Sequence, residues 1–284
     1  MRSGNPALRP ELFDRPVNAP NWADLATDSN SSGKVDASAR EGTMTVTGTA
    51  MKTGFLIAIC AASAVWAWGH FLPAVTGGTV SAGRANPAAI MPWFFGTMIA
   101  GLVLSLIGCF APRSTIIVGP LYAAVQGIFL SLLSMFVSIQ FLKGVDLGLI
   151  FQAITLTFAI GLAGVGAFAL GLIRIGGMVS KIMSVAMIGL VLYALALLLS
   201  NGFFNLGLPN LWSSASPMGI AFSGFVVILA AFNLIEDIQM VDEGVQNGAP
   251  KHMEWYSAFA LTVTLLWLYI EVLRLLAKLR SNNN

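Results

Sequence analysis

Seven apolar runs, at 53–72, 88–110, 115–138, 147–173, 181–200, 218–240 and 255–277, leave this chain few ways to fold. Each approaches or exceeds the roughly 20 residues that cross a bilayer as a helix. In hydrocarbon every backbone N–H and C=O must be satisfied within the segment, so such runs fold as helices. The longer connections, 77–87, 201–217 and 242–254, are rich in Gly, Asn, Ser or Pro, as turns are. Only 10% of the residues are charged, against about 25% in a soluble domain. The expected fold class is an all-α polytopic membrane protein with seven transmembrane helices.

Residues 1–51 are of a different kind. They are rich in Pro, Asn, Ser, Asp and Gly and hold no long apolar run. The expectation is a disordered cytoplasmic tail over 1–51, a membrane domain over 52–280 and a short tail over 281–284. The tail is too polar for a signal peptide and is free to dock a partner. Basic residues favour a cytoplasmic N-terminus in the cell membrane: that side would hold Arg40, Lys52, Arg113, Arg174, Lys181 and Lys251, and the far side Arg84 and Lys143. Lys278 and Arg280, after the last run, oppose the rule. Either the bias is weak there or the last segment does not cross fully.

Several functions are excluded or lack a signal. The net charge is only +2 and the basic residues are scattered, which argues against nucleic-acid binding. Cys60 and Cys109 read as thiols buried on different helices, and His70 and His252 are far apart, so no zinc spacing exists. No HExxH, GxSxG or phosphate-loop motif is present, and neither an enzyme nor a cofactor is expected. Small residues at Ala163, Ala167 and Gly171 suggest close packing of the fourth helix. Trp93, Trp212 and Trp255 sit at segment ends, where aromatic belts form.

Two acids carry the functional signal. Asp237, in LIEDIQMV, and Glu271, in LYIEVLRLL, fall in the last two apolar segments. Charges at that depth usually face a protein interior or a water path. If the two carboxylates meet, they cannot both ionise cheaply, and the pair becomes a pH sensor and a weak cation ligand. Calcium takes 6–8 oxygens, so two side chains make only a leaky site. A plainer reading stands beside this one. Glu271 is three residues from Arg274 on one helix face and could simply neutralise it. Asp237 could be an interfacial charge. Depth separates the acids as well: Glu271 lies 16 residues, about 24 Å, beyond Trp255, whereas Asp237 is near the end of segment six. They meet only if segment six continues into the loop, or if segment seven begins later or is broken. Asn233 and Thr264 share the acidic faces and, with Gln126, are candidate pore-lining residues. Pro120 lies inside segment three, and Arg113 could reach an acidic site as a latch.

The stretch GAPKHMEWYSAFALTVTLLWLYIEVLRLLAKLR (248–280), preceded by LIEDIQMVDEGV, resembles the Bax inhibitor-1 family in its bacterial YccA-like branch. GPLYAAVQG (119–127), SGNPAL (3–8) and TMTVTGTAMKT (43–53) extend the resemblance along the chain. The resemblance implies six helices around a central seventh. It also implies a pH-sensitive calcium leak, with Asp237 and Glu271 as the acidic dyad and Arg113 near the position of a latch. Gln126 and Gln239 stand where acids are common in this branch, so the site is less negative. YccA-like relatives are linked to the membrane protease FtsH, which implies a second role as a regulator of such a protease. An intramembrane aspartyl protease fits poorly, because no Gly-x-Gly-Asp precedes the second acid.

Overall fold

The computed structural model describes residues 42–76, 88, 90–172, 175–200 and 210–283. Residues 1–41, which include Arg40 and most of the expected tail, lie outside the described residues. So do the connection 77–87 with Arg84, Arg174, and 201–209 of the connection after segment five. Among the described residues there are seven helices: α1 Val46–Thr76, α2 Met91–Phe110, α3 Thr115–Leu142, α4 Leu147–Ala169, α5 Gly177–Leu199, α6 Pro217–Gln246 and α7 Met253–Asn283. All seven are long and apolar enough to cross a membrane, α3 together with the short 3-10 turn Pro112–Ser114 that leads into it. The expected polytopic all-α fold is therefore the observed one.

Several boundaries differ from the hydropathy pattern, and three of them have a clear local reason. Helix α1 starts at Val46, inside the stretch assigned to the tail. The Thr45 hydroxyl accepts from the Gly48 N–H (3.0 Å), which caps an otherwise open helix end. Helix α6 runs on to Gln246, past the end of its apolar run at 240. It stops at Gly248, whose φ of 67° only glycine adopts freely. The Gly248 N–H reaches the Val245 carbonyl and the Ala249 N–H the Gly244 carbonyl, the two bonds of a Schellman cap. Helix α4 ends the same way at Gly171, with N–H bonds from Gly171 to Phe168 and from Leu172 to Ala167. Gly171 therefore ends α4 instead of continuing a stripe of small residues. The packed small residues are Gly161 and Gly164, which lie against Leu265 of α7 and Ile235 of α6, while Ala163 is exposed. At the other terminus, α7 takes in residues 281–283 of the short tail expected there.

Helix α7 is the centre of the bundle. It packs against α1, α3, α4 and α6, and the 3-10 turn also touches it. The outer helices attach more loosely: α2 lies along α3, and α5 touches α6. The core runs along α7 through Ala258, Phe259, Leu268, Val272, Leu273 and Ala277, with Leu56 of α1 and Tyr122 and Leu130 of α3. The tightest crossing joins α1 and α3. A Cβ added at Gly127 would fall 2.1 Å from the Cys60 carbonyl oxygen, so only glycine permits this approach. Both cysteines are free thiols. Cys60 is buried as expected, but Cys109 is exposed on α2, because that helix turns much of its surface away from the bundle.

Candidate functional site

Asp237 and Glu271 both lie inside membrane-spanning helices, and they hold different partners. The Thr264 hydroxyl of α7 donates to the Asp237 carboxylate. Glu271 is almost fully buried and accepts from Arg274 at 2.8 Å on each oxygen. Ser223 of α6 pairs with Lys278 of α7 at 2.7 Å. The Asp237–Thr264 and Ser223–Lys278 contacts follow a single antiparallel register. That register puts Glu271 level with Ala230, seven residues from Asp237 along α6. The acids are thus separated by about 10 Å of helix rise. The continuation of α6 into the loop narrows the depth gap anticipated from the sequence without closing it.

The surroundings of the two acids differ in charge. Among the described residues the ion pairs are Lys52–Glu254, Arg274–Glu271 and Arg280–Asp146. Asp237 takes part in none of them and is half-buried. Its neighbour Glu236 accepts from Ser180 of α5. One turn further, Gln239 accepts from the Ile175 N–H (2.9 Å) and donates to the Ile175 carbonyl (3.3 Å). The α4–α5 connection is therefore fastened to α6 beside Asp237. Asn233, one turn before Asp237, is half-buried on α6. Gln126 is turned toward α2, where its amide nitrogen would lie 3.0 Å from a Cβ at Gly101. Arg113 is exposed on the 3-10 turn and joins no ion pair among the described residues. Thr262 is buried and donates to the Ala258 carbonyl (2.7 Å), the ordinary fate of a helix threonine in lipid.

Glu271 sits in a second, more crowded group. The Arg274 guanidinium lies 6.0 Å from the Trp212 ring centre. Trp212 packs against Tyr193 of α5 and Phe222 of α6. Lys278 is fully buried, and its ammonium donates to the Leu211 carbonyl (2.6 Å), the Gly219 carbonyl (3.0 Å) and the Ser223 hydroxyl. These three acceptors satisfy the three N–H groups of a lysine. Arg280 pairs with Asp146, which caps α4. The two cations that opposed the charge rule are thus held by protein partners.

Besides the acceptors around Lys278, the sequence left a further cluster unread. Glu254, at the start of α7, is buried and accepts from the Thr45 N–H (3.0 Å), the Thr45 hydroxyl (2.9 Å) and the Lys52 ammonium. Lys52 also sits 5.5 Å over the Trp255 ring. The pair joins residues 202 apart, so no local pattern signals it. The Met44 N–H donates to the Ala249 carbonyl at 2.7 Å, and Thr43 bridges to Pro250. The chain is thereby fixed to the α6–α7 loop just before α1 begins.

What this arrangement can do follows from charge. Glu271 is paired with a cation one turn away, whereas Asp237 is a half-buried carboxylate within α6 whose partner is a neutral hydroxyl. Among the described residues no three His, Cys, Asp or Glu side chains converge to hold a metal ion. Asp237 and Glu271, together or apart, therefore offer a passing cation few ligands.

No curated protein and no solved structure matched the chain. The family comparison was positive: residues 16–281 match the Bax inhibitor 1 like family, nearly the whole chain. With seven membrane-length helices, a central α7 and that match, the chain belongs to the Bax inhibitor 1 like family.

Proposed function

We propose that this protein is a pH-sensitive cation leak of the cell membrane, with calcium as its principal cargo and the N-terminus cytoplasmic. The observation that carries the reading is Asp237, a half-buried carboxylate within the membrane-length helix α6, on its seam with α7, whose hydrogen-bond partner is the uncharged Thr264. A carboxylate in low dielectric attracts a cation strongly when ionised and not at all when protonated, which makes conduction follow pH. Glu271 lies further along the same seam and acts as the second control point. While Arg274 holds it, it offers a cation little. The acids work in series, about 10 Å apart on the register above, and need no shared proton in this state. Among the described residues no cluster of three His, Cys, Asp or Glu forms at either acid, so the ion passes and is not stored. The reading needs no enzyme chemistry and no cofactor. Lys52, Arg113, Lys181 and Lys251 fall on the side that is then cytoplasmic, against Lys143, Lys278 and Arg280 on the other, a small excess in favour of this orientation.

The test is calcium flux into liposomes across a pH series, repeated with sodium and potassium. Asp237→Asn lowers flux and flattens its pH response. Arg274→Gln, which releases Glu271, changes flux only while Glu271 is present. Unchanged flux and pH response in both Asp237→Asn and Glu271→Gln would sink the proposal.

A second role is favoured by the anchoring of residues 43–45 to the α6–α7 loop and Glu254. That anchor sets a fixed origin for the polar residues 1–41. We propose that they engage a membrane partner such as an FtsH-type protease. Deleting 1–41 should abolish partner recovery while flux persists. Recovery that survives the deletion removes this role.

A further inference from the structure

We propose that the face between α1 and α4 is a phospholipid site, which takes one acyl chain in an apolar cleft and the phosphate beside Arg280. The cleft has a volume of about 330 Å³, within the range of small-ligand sites. It lies between α1 and α4, with α3 and α7 as its floor. Its rim residues Val65 and Phe151 are 73% and 66% exposed, so it is continuous with the surface that faces lipid.

Depth selects the occupant. The cleft runs from Trp68 down to Ile57 on α1 and from Leu147 to Phe158 on α4. At 1.5 Å per residue each wall is about 16 Å long. That is half the roughly 30 Å hydrocarbon thickness, the depth of one leaflet. Leu147 is the first residue of α4, so the upper mouth lies at the helix end, where headgroups sit.

Water does not suit this cleft. Thr157 bonds the Ala153 carbonyl, and Ser134 bonds the Leu130 carbonyl and the Tyr269 hydroxyl. The Ser131 hydroxyl alone is buried without a partner there. A buried water needs 2–4 polar neighbours, and one hydroxyl supplies too few. No charged side chain lines the cleft. An uncharged hydrocarbon chain matches what is left.

The mouth supplies the headgroup contact. Leu147 also lines a polar depression of about 520 Å³ together with Gly144, Asp146, Gly148 and Arg280. Arg280 is partly exposed and pairs with Asp146 at 3.1 Å through one of its nitrogens. A guanidinium has five donors, so the remaining N–H groups can take a phosphate. Asp146 is partly spent on capping α4 through the Leu149 N–H (3.2 Å). The acyl chain would rest on Leu265, Leu266 and Tyr269, the stretch of α7 between Thr264 and Glu271. The proposal stands on the cleft alone and does not depend on the leak.

The experiment uses the full chain in nanodiscs and two photoreactive probes, each with its reactive group midway along one acyl chain. One is a phosphatidylglycerol and the other a diacylglycerol without phosphate. Adducts mapped by mass spectrometry should concentrate at 57–68 and 147–158 over the lipid faces of α2 and α5. Arg280→Gln should lower phosphatidylglycerol labelling about fivefold, the scale of one lost charge-assisted contact, and leave the diacylglycerol adducts unchanged. Ala64→Phe, which fills the cleft, should remove both. Adducts spread evenly over all lipid faces of the wild type would mean ordinary boundary lipid and overturn the site. Undiminished phosphatidylglycerol labelling in Arg280→Gln would overturn the phosphate assignment. Neither readout depends on whether Ala64→Phe folds.

Discussion

Helices α5 and α7 make an instructive pair, because hydropathy and burial run in opposite directions. Helix α5 has the highest mean hydropathy of the seven, yet only 11% of its most apolar stretch is buried; α7 is among the least apolar, and the figure is 33%. In water the order would be reversed. In a bilayer, lipid tails solvate Leu and Val as well as a protein core does, so apolarity gives no reason to enter the bundle. Charge does. Glu254 at the start of α7, and Glu271 and Lys278 further along it, are costly to bury or to expose to lipid unpaired, and each finds a protein partner. The central place of α7 follows from its polar residues, and the peripheral place of α5 from having so few.

The comparison is most open to challenge through packing. Phe259 of α7 is almost fully buried, 5.0 Å from Tyr122 between ring centres and pressed on Gly108. Phe259→Ala should cost about 3 kcal/mol, read as loss of thermal stability in detergent. Val191→Ala on α5, 62% exposed, should stay within about 0.5 kcal/mol. Equal losses at the two positions would mean that α5 is covered, and the contrast would fall.

Buried charge gives a smaller but more pointed effect. Lys278→Met leaves two carbonyls and a hydroxyl without their donor and should cost about 2 kcal/mol. Lys181→Met on α5, where the side chain is exposed, should be silent by the same assay. A silent Lys278→Met would show that the α7 charge does not hold the 211–223 segment. The smallest effect expected is that of Thr264→Val, about 1 kcal/mol for one hydrogen bond. Its diagnostic value lies in flux: the pH response of the leak should shift with it, whereas Thr262→Val, which loses a bond within α7, should leave that response unchanged.

Much of this was legible in the chain, and the unread parts share a cause. All seven spans could be read from hydropathy, since crossing a bilayer is a local property of about 20 residues. Their ends were less legible. Apolarity stops at 240, but α6 stops only where Gly248 adopts a positive φ, and the Asn-Gly pair at 247–248 was the signal that could have placed it. Glu271 with Arg274 was foreseen by spacing, because three residues apart on a helix is a contact wherever the helix lies. The pairing of Asp237 with Thr264 was half foreseen: both were placed on the acidic faces, but not opposite each other. Lys52 with Glu254 was invisible.

The sequence alone therefore determined the number of spans, the presence of an acid in each of the last two and the i, i+3 ion pair, since each depends on residues close along the chain. Only the tertiary structure decided which charges meet. The register between α6 and α7 gives Asp237 a threonine and leaves Glu271 two turns away, and the packing of α1 on α7 gives Glu254 its lysine. Such choices depend on how far one helix slides along another. That offset is set by side chains interlocking across the whole bundle and is written in no single segment.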